Sequence, residues 1–422
     1  MPIKEDELLG PPVLSAIERI GKADILVGIP SFNNSGTIGH VVKAVSGGLA
    51  KHFSEYDAVI VNSDGGSTDS TCDIVAATDF PSMETLMVRH RLHPVHKIST
   101  PYHGIPGKGS AFRTIFKIAQ LLGVRACAVV DSDLRSITPE WIEMLVGPIL
   151  NEGYDYAAPL YRRHKYDGTI TNSIVYPLTR ALYGKNIRQP IGGDFGFSGE
   201  LATRYLSKDV WDTNIARYGI DIWMTTTALA EGFKLCQSFL GAKIHDPKDP
   251  GADLSAMLVQ VVSSVFELMG TYEKVWGKVK GSEAVPYFGF EYSVGLESIN
   301  VNTQRMVDNF RQSVRDLEPV WKEILLPNHL DRVQTLAARE PHSFPDDLWA
   351  SVIYDFAMAY HKRVMNRDHL LASLTPLYLG RTAAFVIETA EADSDEVEER
   401  IETVALAYEA AKESFVQRWK EA

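Results

Sequence analysis

The sequence predicts an α/β domain built on a mostly parallel sheet, followed by a C-terminal α-helical region. Three observations carry this. Short apolar runs rich in β-branched residues alternate with stretches of helical period from about residue 24 to 150. The runs end in Gly, Asn, Asp or Ser, where a chain leaves a strand. Beyond about Asp253 strand patterning stops and nearly everything reads as helix. We divide the chain into a lead-in over 1–22, an α/β domain over 23–255 and a helical region over 256–422.

The elements follow in order. A short helix is expected near Val13–Ile20 and a buried strand over Asp24–Pro30, ending in the turn Ser31–Gly36. Ile38, Val41, Val42 and Val45 then set a helix from about Thr37 to Phe53. Tyr56–Val61 is a second strand, followed by a hydroxyl-capped helix beginning near Ser67 or Thr68. Glu84–Arg89 reads as the third strand, and 93–106 as irregular. Gly107-Lys108-Gly109 opens a helix through Leu122, and Ala126–Val130 is the fourth strand. Pro139 starts another helix. Later come a strand over Tyr154–Leu160, a helix over Thr171–Tyr183 and a glycine-rich loop over Gln189–Ser198. A helix starts at Gly219, and a strand runs from Leu235 to His245. The tail reads as helices over 257–279, 302–326, 347–366 and 394–420.

Composition narrows the function. The chain has 422 residues, 45% hydrophobic and 23% charged, as expected of a soluble globular protein. A net charge of −12 argues against nucleic-acid or anionic-membrane partners. Cys72, Cys127 and Cys236 form no CxxC pair, which suits reduced thiols in a cytoplasmic protein. The start, MPIKEDELLG, lacks the basic-then-apolar pattern of a secretory signal. No uninterrupted apolar run is long enough for stable membrane insertion.

Chemistry concentrates at Asp131-Ser132-Asp133. Two carboxylates follow a buried strand, although Asp is disfavoured in strands and neighbouring carboxylates repel. Residues two apart in an extended segment point the same way, so Asp131 and Asp133 can share one divalent cation. Oxygen ligands suit Mg²⁺ or Mn²⁺ carrying a diphosphate, and open α/β sheets bind ligands at this edge. A solvated turn or helix cap would explain the same tripeptide. Asp64-Gly-Gly-Ser-Thr-Asp69 closes the second strand, where a carboxylate can accept from a base N–H. An ordinary capped turn is the alternative. In Gly107-Lys108-Gly109 the glycines allow close backbone approach and the lysine offers a point charge to a diphosphate. It could equally be a surface loop, and it lacks Walker spacing.

Taken together, Ile29-Pro30-Ser31-Phe32-Asn33, the Asp64–Asp69 turn and Val130–Asp133 resemble nucleotide-sugar glycosyltransferases of the GT-A fold, in particular the family-two-like members. Asn34 and Gly65 depart from the pattern, where relatives often carry Glu and a second Asp. Adding Pro106–Gly109, Thr138–Trp141, Gln189–Asp194 and Tyr218–Asp221, residues 24–250 resemble the retaining mannosylglycerate and glucosyl-3-phosphoglycerate synthases, enzymes of compatible-solute synthesis.

That resemblance implies roles. Pro30, Phe32, Asn33, Asp64, Gly107, Lys108 and Ser132 would hold the nucleotide-sugar donor. Asp131, Asp133 and His245 would hold Mg²⁺ or Mn²⁺, with imidazole as the third ligand. Lys108, Asp194 and Asp221 would carry catalysis, with Gly193, Asp194 and Asp221 on the sugar. His103 is a weaker candidate. The resemblance further implies front-face transfer with retention and no covalent enzyme intermediate. Asp194 and Asp221 would then position and stabilise. Gly168, Thr169 and Thr171 would hold a small carboxylate acceptor. Phosphoglycerate-using relatives carry Arg where Thr169 stands, which favours D-glycerate, although Arg162–Lys165 could restore the charge.

Three other readings compete. A phosphorylated acceptor is the nearest. An Asp-dependent phosphatase would use Asp131 as nucleophile, but the motif follows the fourth strand and Arg135 stands where a small hydroxyl residue is wanted. A sugar nucleotidyltransferase lacks its N-terminal Gly-rich loop, and a binding protein without catalysis would have no need of this constellation. The helical tail could form a homodimer or cover the acceptor pocket; its sequence is compatible with both.

Overall fold

The computed structural model describes residues 8–78, 95–101, 107–217, 219–244, 255–290 and 301–421. The chain divides into two compact units. The first comprises Met1–Arg162, Ile191–Asp246 and Val285–Leu296; the second comprises Arg163–Pro190, Pro247–Ala284 and Glu297–Ala422. Residues 163–190 group with the helical unit, and Tyr287–Phe288, beyond the boundary expected near residue 255, pair with the sheet of the first unit.

The first unit is built on eight strands: β1 (Ile25–Ser31), β2 (Ala58–Asp64), β3 (Val95–Pro101), β4 (Ala126–Val129), β5 (Tyr156–Arg162), β6 (Phe195–Ser198), β7 (Leu235–Ala242) and β8 (Tyr287–Phe288). Their order is β8-β7-β5-β6-β4-β1-β2-β3. All pairings are parallel except those of β6, which runs antiparallel to both β4 and β5. β1 and β2 pair from Ile25↔Ala58 to Ser31↔Asp64, so both carboxyl ends stop at one edge. β4 pairs with β1 on its other side, which makes the β1/β4 boundary the point where strand order reverses. Ligands of open α/β sheets bind outside the carboxyl ends at such a point.

β1, β2 and β4 are buried along their whole length, the signature of a sheet covered on both faces. One face packs Val41, Val45 and Leu49 of the helix Ile38–His52, and Ile142, Leu145 and Val146 of the helix Glu140–Glu152, against Val27, Ile60 and Ala128. On β1, Gly28 makes room for Ile115, from the helix Lys108–Leu122; a β-carbon there would lie 2.6 Å from that side chain.

Two expectations are corrected. The stretch 93–106, expected to be irregular, carries the strand Val95–Pro101, while the expected strand at 84–89 lies outside the described residues. The end of the loop Gln189–Ser198 is itself a strand, β6, inserted between β4 and β5.

The second unit is helical. Its longest helices are Arg367–Glu388 and Ser394–Lys420, joined by Thr303–Asp316, Pro327–Ala337 and Asp346–Lys362 among others. The expected helices at 257–279 and 302–326 are each broken, at Tyr272 and Leu317, and the helices 327–337 and 367–388 were not anticipated. Among the described residues Arg367–Glu388 is long and apolar enough to cross a membrane, yet 78% of that apolar window is buried. It carries Arg381, fully buried and 2.7 Å from Asp346. Lys165 closes its C-terminal end by donating to the carbonyls of Thr389 and Ala392 at 2.6 and 3.0 Å.

Candidate functional site

Five charged side chains converge at the carboxyl end of β4. Lys108 Nζ lies 2.7 Å from Asp131 Oδ1 and 3.2 Å from Asp221. Lys243 Nζ lies 2.8 Å from Asp131 Oδ2 and 2.7 Å from Asp194 Oδ2. Lys243 also donates to the carbonyl of Gly192 at 2.8 Å. Each group is delivered by a different element. Lys108 begins the helix after β3, Asp131 follows β4, Asp194 immediately precedes β6, Asp221 sits in the first turn of the helix Ile220–Ala230, and Lys243 follows β7.

The charges hold one another. Burial alone would raise the pKa of Asp131, but Lys108 and Lys243 overcome it and keep the carboxyl far below its usual range. Burial would lower the pKa of Lys108, but Asp131 and Asp221 hold it well above its ordinary value. Asp194 and Asp221 move the other way, upward, because burial and the charge of Asp131 outweigh their lysine partners. Carboxylates of one cluster are thus driven apart, a common property of functional sites.

Asp131 does not follow the strand argument made for it. β4 ends at Val129 and residues 132–133 form a turn, so two-residue alternation no longer applies. Both Asp131 oxygens face lysines. Asp133 is half-buried and has no hydrogen bond or ion pair among the described residues. A half-buried carboxylate left open in this way fits a hard divalent cation. His245 and His103 lie outside the described residues, and no group of three His, Cys, Asp or Glu side chains clusters among the described ones.

Asp194 was expected on the sugar hydroxyls. It is instead fully buried. Oδ1 accepts from the Asp131 N–H at 2.8 Å, and Oδ2 accepts from Lys243 and the Tyr161 hydroxyl. These contacts hold the Asp131 backbone. Asp221 is 16% exposed and pairs with Lys108, and its Oδ1 is buried without a hydrogen-bond partner among the described residues. Gly193 adopts φ 88°, and a β-carbon there would lie 2.2 Å from Asp131 Oδ2.

The glycines flanking Lys108 serve packing. β-carbons at Gly107 and Gly109 would strike the 215–217 backbone at 2.5 and 2.2 Å, so these glycines seat the helix start against that segment. Lys108 is thereby aimed from a fixed base.

The turns after β1 and β2 are laced together. Asn33 donates its N–H to Ser67 Oγ and accepts from the Thr68 N–H, both at 2.8 Å. Asp64, expected to read a base, accepts four hydrogen bonds: from Ser31 Oγ, Ser67 Oγ and the N–H groups of Gly66 and Ser67. Pro30 lies within β1, opposite Ser63. Ser132 ties the β4 end to this turn, its hydroxyl donating to Asn34 Oδ1 at 2.8 Å while its carbonyl accepts from Thr37. Phe32 is 59% exposed.

Gly168, Thr169 and Thr171 belong to the second unit. Gly168 turns the chain at φ 69°, and residues 171–175 wind as a π-helix, a form often found at functional sites. Thr169 is buried with its hydroxyl on Tyr378. Thr171 is also buried.

Lys243 and Tyr161 were missed. Ala242–Asp246 had been singled out only for its histidine, although the same two-residue period used for Asp131 and Asp133 marks Lys243 as a partner. Nothing in sequence marks Tyr161.

Comparison with known proteins gives three findings. Residues 26–202 match the model of Glycosyl transferase family 2. The glucosyl-3-phosphoglycerate synthase of Mycolicibacterium paratuberculosis is 27% identical over 266 residues, 58% of this chain and 72% of that protein. That of Petrotoga mobilis is 26% identical over 275 residues, 60% and 76%. Among solved structures, glucosyl-3-phosphoglycerate synthase from Mycobacterium tuberculosis, in complex with Mn²⁺, uridine diphosphate and glucosyl-3-phosphoglycerate, aligns with 22% identity and a TM-score of 0.43, covering 61% of this chain and 84% of that one.

Proposed function

We propose that this chain, whose residues 26–202 match the Glycosyl transferase family 2 model, is a nucleotide-sugar glycosyltransferase of the GT-A fold that moves a hexose to D-glycerate or a related small hydroxy acid with retention at the anomeric carbon. The observation that carries the reading is the Lys108–Asp131–Lys243–Asp194 cluster, with Asp221, at the β1/β4 switch point.

Asp133, with Asp131 and His245, would hold Mg²⁺ or Mn²⁺. That cation supplies neutralisation of the diphosphate as it leaves. Lys108, kept protonated by its acid neighbours, offers a second positive charge to the same phosphates. Asp221, with one oxygen left unpartnered, would orient the sugar. Asp194, fully buried, and Lys243 would hold Asp131 in place. We assign none of these carboxylates as nucleophile and read the transfer as front-face. In that step the acceptor oxygen bonds to the anomeric carbon, the bond to the phosphate oxygen breaks, and the acceptor proton passes to that leaving oxygen.

Thr169, turned inward to Tyr378, supplies no cation for an acceptor phosphate, which supports an unphosphorylated acid. The names of the similar synthases favour 3-phosphoglycerate as the second reading. NMR of products from UDP-glucose and GDP-mannose, each with D-glycerate and 3-phosphoglycerate, decides. A glycoside of glycerate with the donor's anomeric configuration is expected. An inverted product overturns the mechanism, and no glycoside from any pair overturns the acceptor class.

A further inference from the structure

We propose that Arg381 sets the acceptor loop through one buried water, held in a cavity that the loop shares with the helix Arg367–Glu388. This rests on the reading of Gly168, Thr169 and Thr171 as the acceptor loop, and every residue it involves lies in the second unit.

Arg381 is fully buried, yet its donors are not all used. A guanidinium carries five N–H donors in a fixed fork. Nη1 donates to the Phe344 carbonyl at 3.0 Å and Nη2 to Asp346 Oδ1 at 2.7 Å. Nε is buried and has no hydrogen-bond partner among the described residues. Thr382, the next residue, repeats the pattern. Its Oγ1 is buried beside the Tyr378 hydroxyl and also lacks a partner in hydrogen-bond geometry among the described residues. A buried donor without an acceptor is destabilising, and folded proteins commonly answer it with an ordered water.

A cavity supplies the place. It measures about 10 Å³, room for about one water, and Arg381 and Thr382 both line it. So do Thr169, Asn172 and Ser173, from the acceptor loop and the π-helix that follows. The loop side is held rigidly. The Ser173 carbonyl accepts from Trp349 Nε1 at 2.8 Å and from the Tyr408 hydroxyl at 2.9 Å, and Ser173 Oγ donates to the Thr169 carbonyl at 2.7 Å.

The surroundings select the guest. Arg381 and Arg400 meet Asp346 and Glu388, so the local charges balance and the guest has none to answer. It must accept from Arg381 Nε and still donate, which a water does and a halide does not. A water there completes a chain: it accepts from Arg381 Nε and donates to Thr382 Oγ1, Thr382 lies beside the Tyr378 hydroxyl, and that hydroxyl pairs with Thr169. Arg381 stands at the far end of the chain, a positioning residue that acts through Thr169.

The test joins a crystal structure of the full chain to acceptor kinetics. Density for a water about 3 Å from both Arg381 Nε and Thr382 Oγ1 is expected. A dry cavity overturns the inference, and so does an anomalous peak there in crystals soaked in bromide. Thr382→Val removes the hydroxyl and keeps the shape. It should raise KM for the acceptor, D-glycerate or 3-phosphoglycerate, about tenfold, while kcat, donor KM and melting stay near wild type. Arg381→Lys, which keeps the charge facing Asp346 but carries no Nε–H at that place, should raise the same KM. Thr382→Ser should restore it. An acceptor KM that Thr382→Val leaves unchanged removes Arg381 and its water from the acceptor loop. If Thr169→Val leaves it unchanged as well, the acceptor-loop reading itself fails while the donor chemistry stands.

Discussion

Lys243 and Asp194 form a buried ion pair 2.7 Å long, with side chains 5% and 0% exposed. Neither reaches solvent, yet together they anchor Asp131 through its carboxylate and its backbone N–H. Breaking such a pair from one side leaves a charge stranded. Lys243→Met should therefore destabilise the protein by about 3–5 kcal/mol in urea titration, more than any change at Lys108. Equal loss at the two lysines would contradict the division of roles.

Lys108 is 21% exposed and meets Asp131 and Asp221 from the outward side. Lys108→Met should cut kcat about 10²–10³-fold, the usual effect of deleting one electrostatic stabiliser. Thermal melting should change little by comparison. Retained kcat would remove Lys108 from the donor phosphates.

Asp194 and Asp221 separate by readout. Asp221→Asn should lower kcat about a hundredfold or more with near-normal melting. Asp194→Asn should lower the melting temperature first, since it unpairs Lys243 and loosens the Asp131 backbone. Azide should rescue neither on the proposed front-face route, which forms no covalent sugar intermediate.

Gly193→Ala forces a side chain into φ 88° and within 2.2 Å of Asp131 Oδ2. Gly232→Ala, at φ 79° with open space around it, bears only the backbone strain, about 1–2 kcal/mol. The first should lose more stability than the second, and activity besides.

In the second unit Lys412 donates to the carbonyls of Ala181, Leu182 and Val279 at 2.7, 3.2 and 2.7 Å. Burial lowers its pKa to about 8 from 10.5. Between those values the unfolded chain binds the extra proton, so this group's contribution to stability rises with pH. Below about pH 8 the charged form carries its full burial penalty. The melting difference between wild type and Lys412→Met should move toward the wild type as pH rises from 8 to 10.5, and a flat difference would contradict it.

The strands β1, β2 and β4 were legible because each is an apolar run stopped by polar turn residues. The Asp64–Asp69 turn, Lys108 and Asp131 were legible as motifs. What those carboxylates do was not, because their partners lie far away in sequence. Asp64 spends its lone pairs on Ser31, thirty-three residues back, and Asp194 on the backbone of Asp131, sixty-three residues away. β6 was hidden by its shortness and its glycine: Phe195-Gly196-Phe197-Ser198 is too short to show a period, and Gly196 is there because the Leu145 carbonyl would sit 1.9 Å from a β-carbon. The helix Arg367–Glu388 was obscured by Pro376 and by Arg381, whose charge is answered by Asp346.

Nucleoside diphosphate release from a sugar nucleotide with glycerate, in Mn²⁺ and after EDTA, for the wild type and Asp133→Asn, probes the transferase chemistry most directly. We expect release in Mn²⁺, none after chelation, and a loss of about a hundredfold or more in a fully folded Asp133→Asn. Release that survives EDTA, at a rate Asp133→Asn leaves untouched, would contradict a cation held at the end of β4.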